Sequence, residues 1–445
     1  MRIARGAQEA RATVLKRTPV ETAELPAAVR EVIRRTFGGD LSVGEVVARI
    51  LRDVREQGDA AVVHFNEEID GVHGDLSLAL EVSEEEIESA YERLDKALVT
   101  ALRAAADQIR SFHKEQLEHA LRGFHRDGVG QLVRPLSRVG IYVPGTRAVY
   151  PSTVLMTAIP AKAAGVRELV MATPALPDAG VSPLKLVAAH IAGVDRVFRA
   201  GGAQAIAAFA YGTETIPRVD KVCGPGNVFV TEAKRQVYGV VGLDGIFGPS
   251  ETVVIADKRA DPAMVAADLL AGAEHDEMAT AILIATSEEQ ATTVLGKLQS
   301  QIAAIGRGAV ARASLEARGG IVIVDEIKEA VELANEFAPE HLCLHVEHAD
   351  RLLDEVRNAG AVFAGSASVE SIGDFTAGPS HVMPTGGSAR FASPLGVHDF
   401  LKATSVVSLD RKALAKLGPP AAAIARAEGF EGHARAIERR LEGMR

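Results

Sequence analysis

Hydrophobic positions follow two different patterns along the chain, and each pattern predicts its own kind of element. Residues 43–56 carry apolar side chains at helical spacing, and similar spacing continues through most of residues 1–125. From Arg138 onward, short apolar runs of strand length alternate with segments of helical periodicity. We therefore expect a mostly helical first part followed by a long alternating α/β region.

The alternating region contains two series of predicted elements. The first has strands at 139–143, 168–173, 196–199 and 219–222, with helices at 153–165, 184–192, 203–210 and 227–238. The second has strands at 252–256, 281–285, 320–324, 342–346 and 360–364, with helices at 262–273, 288–304, 327–337 and 350–358. Because strands separated by helices pair in parallel, the pattern predicts an α/β fold with two Rossmann-like parallel-sheet domains. Residues 410–445, rich in Ala and Arg, are expected to form a small helical appendage.

Composition and charge narrow the class of protein. The chain has 445 residues and a net charge of −10, which argues against a nucleic-acid partner or an anionic membrane surface. No apolar run approaches the roughly 20 residues of a membrane span, and residues 1–25 are too charged for a signal peptide. The two cysteines, Cys223 and Cys343, are far apart in sequence, as is typical of a reducing compartment. We expect a cytoplasmic enzyme.

Three loops after predicted strands carry Gly, Pro and polar residues: 144–147, 201–204 and 224–227. In a parallel sheet these loops meet at one carboxyl edge, where Gly permits close backbone approach and a helix N-terminus favours an anionic group. Each loop alone is equally explained as a tight turn, but three on one edge indicate a nucleotide site. No G-x-G-x-x-G fingerprint follows any strand, so a dinucleotide would not use the usual first βα turn.

Glu340 and His341 form the most suggestive pair of chemical groups in the chain. They follow a predicted helix that ends before Pro339, which biases Ala338 away from the helical region and places the pair on a turn before a strand. A Glu can act as a general base and a His titrates near neutrality, so the pair could handle two different protons. The alternative is a solvated pair on the surface.

Candidate metal ligands and thiols are scattered in the sequence. His275, Asp374, His381 and His433 show no local metal spacing, and surface histidines are the alternative in a chain that has 13 of them. Cys343 is more easily explained as a buried inert thiol than as a nucleophile, and Cys223 could border a ligand.

The motifs together resemble those of the histidinol dehydrogenase family from about residue 30 to residue 440. The segments that carry the resemblance are Gly140-Ile-Tyr-Val-Pro-Gly, Pro151-Ser-Thr-Val-Leu-Met, Gly201-Gly-Ala-Gln-Ala-Ile-Ala-Ala, Val219-Asp-Lys-Val-Cys-Gly-Pro-Gly-Asn, Thr231-Glu-Ala-Lys-Arg-Gln-Val, Gly248-Pro-Ser-Glu, Phe337-Ala-Pro-Glu-His-Leu and Gly378-Pro-Ser-His-Val-Met-Pro-Thr. The resemblance implies a homodimer with one zinc ion per subunit and an active site shared between subunits. Such an enzyme oxidises L-histidinol to L-histidine through the aldehyde and reduces two NAD.

The resemblance also implies roles for particular residues. The two bases match Glu340 and His341, and contacts to NAD match Tyr142, Gln204 and Asn227. Zinc ligands match His275 and Asp374, with His433 arriving from the partner subunit. Substrate contacts match Ser250, His275, His341, Asp374, His381, Glu428 and His433. The implied domains are an N-terminal helical arm (1–25), a discontinuous Rossmann-like domain (26–137 with 250–395), a cofactor-side Rossmann-like domain (138–249), and a small C-terminal helical dimerisation domain (396–445). The small N- and C-terminal helical segments are expected to intertwine in the homodimer.

One position departs from the family pattern in a way that concerns the metal. The family's fourth zinc ligand is a Gln three residues before His275, and this chain has Gly272 there. A water or substrate atom, Glu274 or Glu277 could complete the coordination, or the metal site is weakened and the substrate changed. The departure keeps open a related NAD-dependent dehydrogenase of another small polar alcohol, such as a sulfonated propanediol, and a non-catalytic ligand-binding paralogue. Thr146 is a lesser departure, at a position where the family often has a second Gly.

Overall fold

Two parallel sheets form the framework of the computed structural model, which describes residues 1–17, 25–74, 79–145, 149–177 and 180–443. The strands are β1 Arg2–Arg5, β2 Phe124–Arg126, β3 Val129–Pro135, β4 Arg138–Tyr142, β5 Glu168–Thr173, β6 Arg196–Arg199, β7 Lys221–Cys223, β8 Gly242–Leu243, β9 Glu251–Ala256, β10 Thr280–Ala285, β11 Gly320–Ile323, β12 His341–His345, β13 Ala361–Ala364 and β14 Leu401–Val407. Thr146 and Arg147 lie outside the described residues, so the lesser departure at Thr146 stays without a structural account.

The helices of the described residues lie before, between and after these strands. They are α1 Ala7–Ala12, α2 Ala27–Phe37, α3 Val43–Gln57, α4 Asp59–Glu68, α5 Glu84–Glu92, α6 Lys96–Glu118, α7 Pro151–Ala163, α8 Pro183–Ala192, α9 Gly202–Tyr211, α10 Val228–Val237, α11 Pro262–Ala273, α12 Glu288–Ile302, α13 Gly308–Ala317, α14 Ile327–Phe337, α15 Glu370–Phe375, α16 Arg411–Ala427 and α17 Glu431–Glu442. The helix predicted at 350–358 is a 3₁₀ helix over Ala349–Glu355. Among the described residues, none of the helices is both long and apolar enough to cross a bilayer.

The five-stranded sheet has the order β6-β5-β4-β7-β8, with every pair parallel. The chain builds outward from β4 to β5 and β6, then returns to the other side of β4 to add β7. The reversal of direction leaves a crevice at the carboxyl ends of β4 and β7, which is the usual ligand position in such a sheet. The prediction of a doubly wound parallel unit in this region is confirmed.

The six-stranded sheet is also parallel and has the order β1-β11-β10-β9-β12-β13. Its central strands are buried on both faces, as the continuous apolar runs over 252–256 and 281–285 predicted. The N-terminal arm expected to be helical begins with β1, which pairs with β11 at the edge of this sheet. Part of residues 1–25 therefore belongs to the six-stranded sheet.

The helices of residues 27–118 pack on the five-stranded sheet. Side chains of α3 and α4 share a core with Val170 and Phe198, and side chains of α6 share a core with Val139 and Ile141. The division into a domain of 26–137 with 250–395 and a domain of 138–249 stays a prediction, in which these helices would be assigned apart from the sheet on which they pack.

A third, antiparallel sheet of β14, β3 and β2 was missed by the sequence analysis. Leu401 pairs with Pro135, a partner distant in the chain, and side chains on β2 and β3 are largely exposed. Without a buried face, these strands carry little of the apolar alternation on which strand prediction depends. After β14 the chain forms α16 and α17, which pack chiefly on each other, so the predicted C-terminal helical appendage is confirmed.

Candidate active site

Glu340 and His341 lie on a buried turn between α14 and β12. Helix α14 ends at Ala338, which takes the left-handed conformation (φ 51°), so the chain leaves the helix sharply before Pro339. His341 is the first residue of β12, between Thr252 of β9 and Ala361 of β13. Glu340 and His341 are only 7% and 2% exposed, so the alternative of a solvated surface pair is wrong.

Three carboxylates surround the imidazole of His341. Its Nδ1 lies 3.7 Å from Glu340 Oε2 and 3.6 Å from Glu370 Oε1, and its Nε2 lies 3.7 Å from Asp374 Oδ1. None of these contacts is a hydrogen bond, and both ring nitrogens are buried without a hydrogen-bond partner. The pocket therefore holds a histidine whose two nitrogens are available to a bound molecule.

His275 and the helix α15 bring potential metal ligands to the same place. His275 follows the end of α11, with its side chain 42% exposed, and its Nε2 lies 3.8 Å from Asp374 Oδ2. Donor atoms of His275, Glu370 and Asp374 all lie within 4.8 Å of one another. Imidazole nitrogen and carboxylate oxygen are donors that Zn²⁺ accepts, so the residues present fit a zinc ion. Neither Glu274 nor Glu277 belongs to this group in the described chain.

His381 and Ser250 border the same region. Nδ1 of His381 donates to the backbone oxygen of Asp374 at 2.8 Å, and its Nε2 accepts from Thr153 Oγ1 at 3.1 Å. Because Thr153 lies at the start of α7, this contact joins the His341 cluster to the helix that follows β4. Ser250 directly precedes β9 and accepts a backbone hydrogen bond from Thr280.

Burial and mutual charge shift the acid–base properties of the buried groups. Burial raises the pKa of Glu340 to about 7, although the neighbouring His341 opposes the shift. Burial by itself would lower the pKa of His341, but the carboxylates of Glu370, Glu340 and Asp374 raise it to about 10. A dication bound beside His341 would offset the charge of the carboxylates and lower the pKa of His341 toward neutrality, where it could act as a base.

The three glycine-bearing loops meet at the carboxyl edge of the five-stranded sheet, in the described part of each loop. The Tyr142 hydroxyl accepts a hydrogen bond from Gly202 N at 3.1 Å, which joins the loops after β4 and β6. A Cβ on Gly224 would lie 2.1 Å from Tyr142 O, so only glycine lets the loop after β7 approach β4 this closely. Asn227 caps α10 by accepting from Phe229 N and Val230 N.

Two polar residues missed in the sequence orient Gln204, which is fully buried. Gln204 Nε2 donates to Asn66 Oδ1 at 3.3 Å and to Asp70 Oδ2 at 3.1 Å, whereas its Oε1 has no partner. Burial raises the pKa of Asp70 to about 7, opposed by the hydrogen bond from Gln204. Both residues lie near the end of a helix, in a part of the chain where no local motif indicated a ligand site.

The structure of one chain does not bring every predicted site residue together. Glu428 ends α16 and His433 lies in α17; both are exposed, and the His433 ring contacts Phe430. The two cysteines are buried free thiols, and burial raises the pKa of each well above its ordinary value. Cys343 Sγ lies 3.9 Å from Glu370 Oε2, and Cys223 lies in the core beneath the five-stranded sheet. Both thiols therefore have the properties of inert core residues.

Glu370 is the residue of this cluster that the sequence analysis missed. It is 1% exposed and lies in the first turn of α15, four residues before Asp374. That i, i+4 spacing was a usable signal, because it places both carboxylates on one helical face.

Two parallel Rossmann-type sheets, a crevice at the switch point of one of them and a buried histidine–carboxylate cluster are features that suit a dehydrogenase. The chain belongs to the histidinol dehydrogenase family, whose sequence profile matches residues 34–441. This is a family of NAD-dependent oxidoreductases of histidine biosynthesis in which zinc is the general rule.

Individual relatives agree with this assignment over nearly the whole chain. A histidinol dehydrogenase of Syntrophotalea carbinolica is 48% identical over 95% of this chain and 98% of its own length. One of Deinococcus radiodurans is 48% identical over 99% of this chain and 100% of its own. The crystal structure of histidinol dehydrogenase from Elizabethkingia anophelis superposes with a TM-score of 0.89 at 32% identity, covering 100% of this chain and 98% of that one. These findings support the histidinol dehydrogenase interpretation over its alternatives.

Proposed function

We propose that the chain catalyses the four-electron oxidation of L-histidinol to L-histidine through histidinal, with two NAD as hydride acceptors. The observation that carries the proposal is the burial of two neighbouring bases, Glu340 and His341, with Nε2 of His341 3.7 Å from Asp374 Oδ1. Two successive oxidations each need a proton removed, and two bases of different chemistry suit the two steps.

The residues divide the chemistry between them. In the first step, His341 accepts the hydroxyl proton as hydride leaves the substrate carbon for NAD, giving the aldehyde. In the second, Glu340 removes a proton from water as the water oxygen attacks the aldehyde carbon, and the hydrate loses its hydride to a second NAD. Each base is expected to contribute roughly 10²–10⁴-fold to its step. His381 and Ser250 border the pocket and are proposed to orient the substrate.

Zinc, when bound, would fix the nitrogen atoms of the substrate and act as a Lewis acid. We propose one ion per subunit, held by His275 and Asp374 together with His433 of the partner subunit. NAD is proposed to lie in the crevice at the carboxyl ends of β4 and β7. There the unpartnered Oε1 of Gln204 and the side chains of Tyr142 and Asn227 offer polar contacts.

A homodimer is proposed because α16 and α17 carry two residues that the proposed site needs and that lie on the surface of the single chain. Glu428 and His433 are exposed on these helices, beside exposed Ile424 and Phe430. A second copy that covers this apolar surface could receive Glu428 and His433 in its own site, which would be shared between subunits.

The variant Glu340→Gln tests the assignment of the two bases. It keeps the shape of the side chain and removes the base, so oxidation of histidinal should fall by roughly 10²–10⁴-fold. The measurement is NADH formation from purified histidinal by the zinc-loaded enzyme, with Glu336→Gln, a partly exposed glutamate at the end of α14, as the control that should be unaffected. Aldehyde oxidation by Glu340→Gln at the wild-type rate would contradict this role. Failure of the wild type to turn over L-histidinol, with turnover of another small alcohol, would favour the related dehydrogenase.

A further inference from the structure

Glu370 has a side chain that can bind a metal ion, and it lies where a ligand of the zinc site would lie. It and Asp374 are one turn apart on α15, so both carboxylates project from the same helical face. Ligands at about 2.1 Å from one tetrahedral zinc are roughly 3.4 Å apart. The donors of His275, Glu370 and Asp374 lie within 4.8 Å of one another, so they could close on an ion by shifts of about 1 Å.

The charges around His341 favour a further cation at this place. Glu340, Glu370 and Asp374 are three carboxylates that lie close to one imidazole, and their side chains are 9%, 1% and 13% exposed. Buried carboxylates normally pair with cations or bind metals, and one imidazolium does not balance three of them. Both nitrogens of the buried His341 also lack a hydrogen-bond partner, so the carboxylates are not arranged simply to hold this ring.

The neighbourhood of Gly272 shows how Glu370 is held. A Cβ built on Gly272 would lie 2.3 Å from Thr252 Oγ1 and 2.8 Å from Thr252 Cβ, so Thr252 occupies the space into which a side chain at 272 would emerge. The same Thr252 hydroxyl donates to Glu370 Oε2 at 3.0 Å. Thr252 is itself buried in β9. The pocket is therefore closed to a ligand from α11 and provides a fixed donor to the carboxylate from α15.

From these contacts we propose that Glu370 is a ligand of the zinc ion, in place of the side chain that Gly272 lacks, and that Thr252 orients it. This inference rests on the proposed function, since it takes the histidine–carboxylate cluster to hold zinc. The ligands from one chain are then His275, Glu370 and Asp374. Their two carboxylates balance the charge of the dication, whereas a neutral amide from position 272 would have left one positive charge.

Zinc affinity of the metal-stripped protein tests the inference without relying on turnover. Competition against a chromophoric chelator should show a loss of about 100-fold or more for Glu370→Ala and of roughly 10–100-fold for Glu370→Gln. Removing an outer hydrogen bond to a ligand typically lowers affinity 10–100-fold, so Thr252→Val should fall near the lower end of that range. With Co²⁺ in place of zinc, the visible absorption of the Glu370 variants should change in position and intensity because the ligand set has changed.

Glu340→Gln is the matched control for charge. Glu340 is as close to His341 as Glu370 is, but it does not belong to the ligand group, so its variant should bind zinc within about threefold of the wild type. Asp374→Ala is the positive control and should lose zinc. Circular dichroism and melting of the metal-free variants check folding, and the isosteric Glu370→Gln decides the matter if Glu370→Ala does not fold.

The variant Gly272→Gln provides an independent arm. Because Thr252 fills the space beside Gly272, the added side chain should lower zinc affinity or leave it unchanged. A rise in affinity would mean that the site lacks a ligand at this position, and it would overturn the inference. So would Glu370→Ala binding zinc within threefold of the wild type while Asp374→Ala loses it, since Glu370 would then serve only as a charge partner of His341.

The experiments distinguish a failure of the Glu370 inference from a failure of the proposed function. If the wild type oxidises L-histidinol but the Glu370 variants keep full zinc affinity, only the ligand inference fails. If the Glu370 variants lose zinc but the wild type does not oxidise L-histidinol, the ligand inference stands and the proposed substrate is wrong. A wild-type protein that binds no zinc overturns the ligand inference outright.

Discussion

The ion pair of Lys234 and Asp244 beneath the proposed cofactor crevice gives a prediction that can be worked out from its contacts. Lys234 Nζ donates to Asp244 Oδ1 at 2.5 Å and to the carbonyl oxygen of Gly224 at 2.9 Å. Asp244 Oδ2 in turn accepts from Gly224 N at 2.6 Å. Both side chains are almost fully buried, so this pair fastens the loop after β7 to the sheet without help from solvent.

Lys234→Met should lower the free energy of unfolding by about 3–5 kcal/mol, because it leaves the Asp244 carboxylate buried without its cation. The assay is urea unfolding at pH 7, followed by circular dichroism. Lys162→Met is the matched control, because Lys162 pairs with Asp195 in a partly exposed position. Removing such a pair should change stability by no more than about 1 kcal/mol.

The double variant Lys234→Met with Asp244→Asn identifies the cause. If the buried unpaired charge is responsible, neutralising Asp244 should recover a substantial part of the lost stability, since the amide oxygen can still accept from Gly224 N. The KM for NAD should rise in Lys234→Met, because the Gly224 loop borders the proposed cofactor crevice. A loss below about 1 kcal/mol in the single variant, or a double variant no more stable than the single one, would refute the reasoning.

Two further predictions concern the same sheet. Gly224→Ala should destabilise the protein by about 1–3 kcal/mol and raise the KM for NAD, because Gly224 has φ 109° and an added Cβ would overlap Tyr142 O; an unfolding curve like that of the wild type would contradict this. Lys185 is buried with its amine on Thr173 Oγ1, and burial lowers its pKa to about 8 from an ordinary value of 10.5. The folded state then binds fewer protons than the unfolded state between these values, so this group makes stability rise by about 3 kcal/mol from pH 8 to 10.5. Urea unfolding should show that Lys185→Met lacks this rise, and identical pH dependence in both proteins would show that the lysine is not responsible.

Local sequence was sufficient for most elements of the two parallel sheets. The predicted bounds of Glu168–Thr173, Pro262–Ala273 and Ile327–Phe337 agree with the structure residue for residue. These segments are apolar or periodic over a defined length, and Pro or charged residues lie at their ends, so neighbouring residues alone determine them. The meeting of the three glycine-bearing loops was predicted from the same alternation of strands and helices, because a parallel sheet places the carboxyl ends of its strands on one edge.

The packing of segments that are distant in the chain could not be predicted from neighbouring residues. The helices of residues 27–118 have apolar faces that either sheet could have covered, and only tertiary contacts assign them to the five-stranded sheet. Strands β3 and β14 are far apart in sequence and mostly exposed, so neither shows the pattern of a buried strand. In such cases the partner determines the element, and the partner is not a local property of the chain.

The candidate site likewise has features that the sequence predicted and features that only the tertiary structure shows. From the sequence alone came the turn of Glu340 and His341 before a strand, and the family resemblance added His275, Asp374 and the missing side chain at Gly272. Tertiary structure decided that the pair is buried, that Glu370 faces the same imidazole, and that Thr252 fills the space beside Gly272. The physical reason is that burial and charge balance depend on what several distant segments bring within a few ångströms, whereas periodicity and turn chemistry are written in adjacent residues.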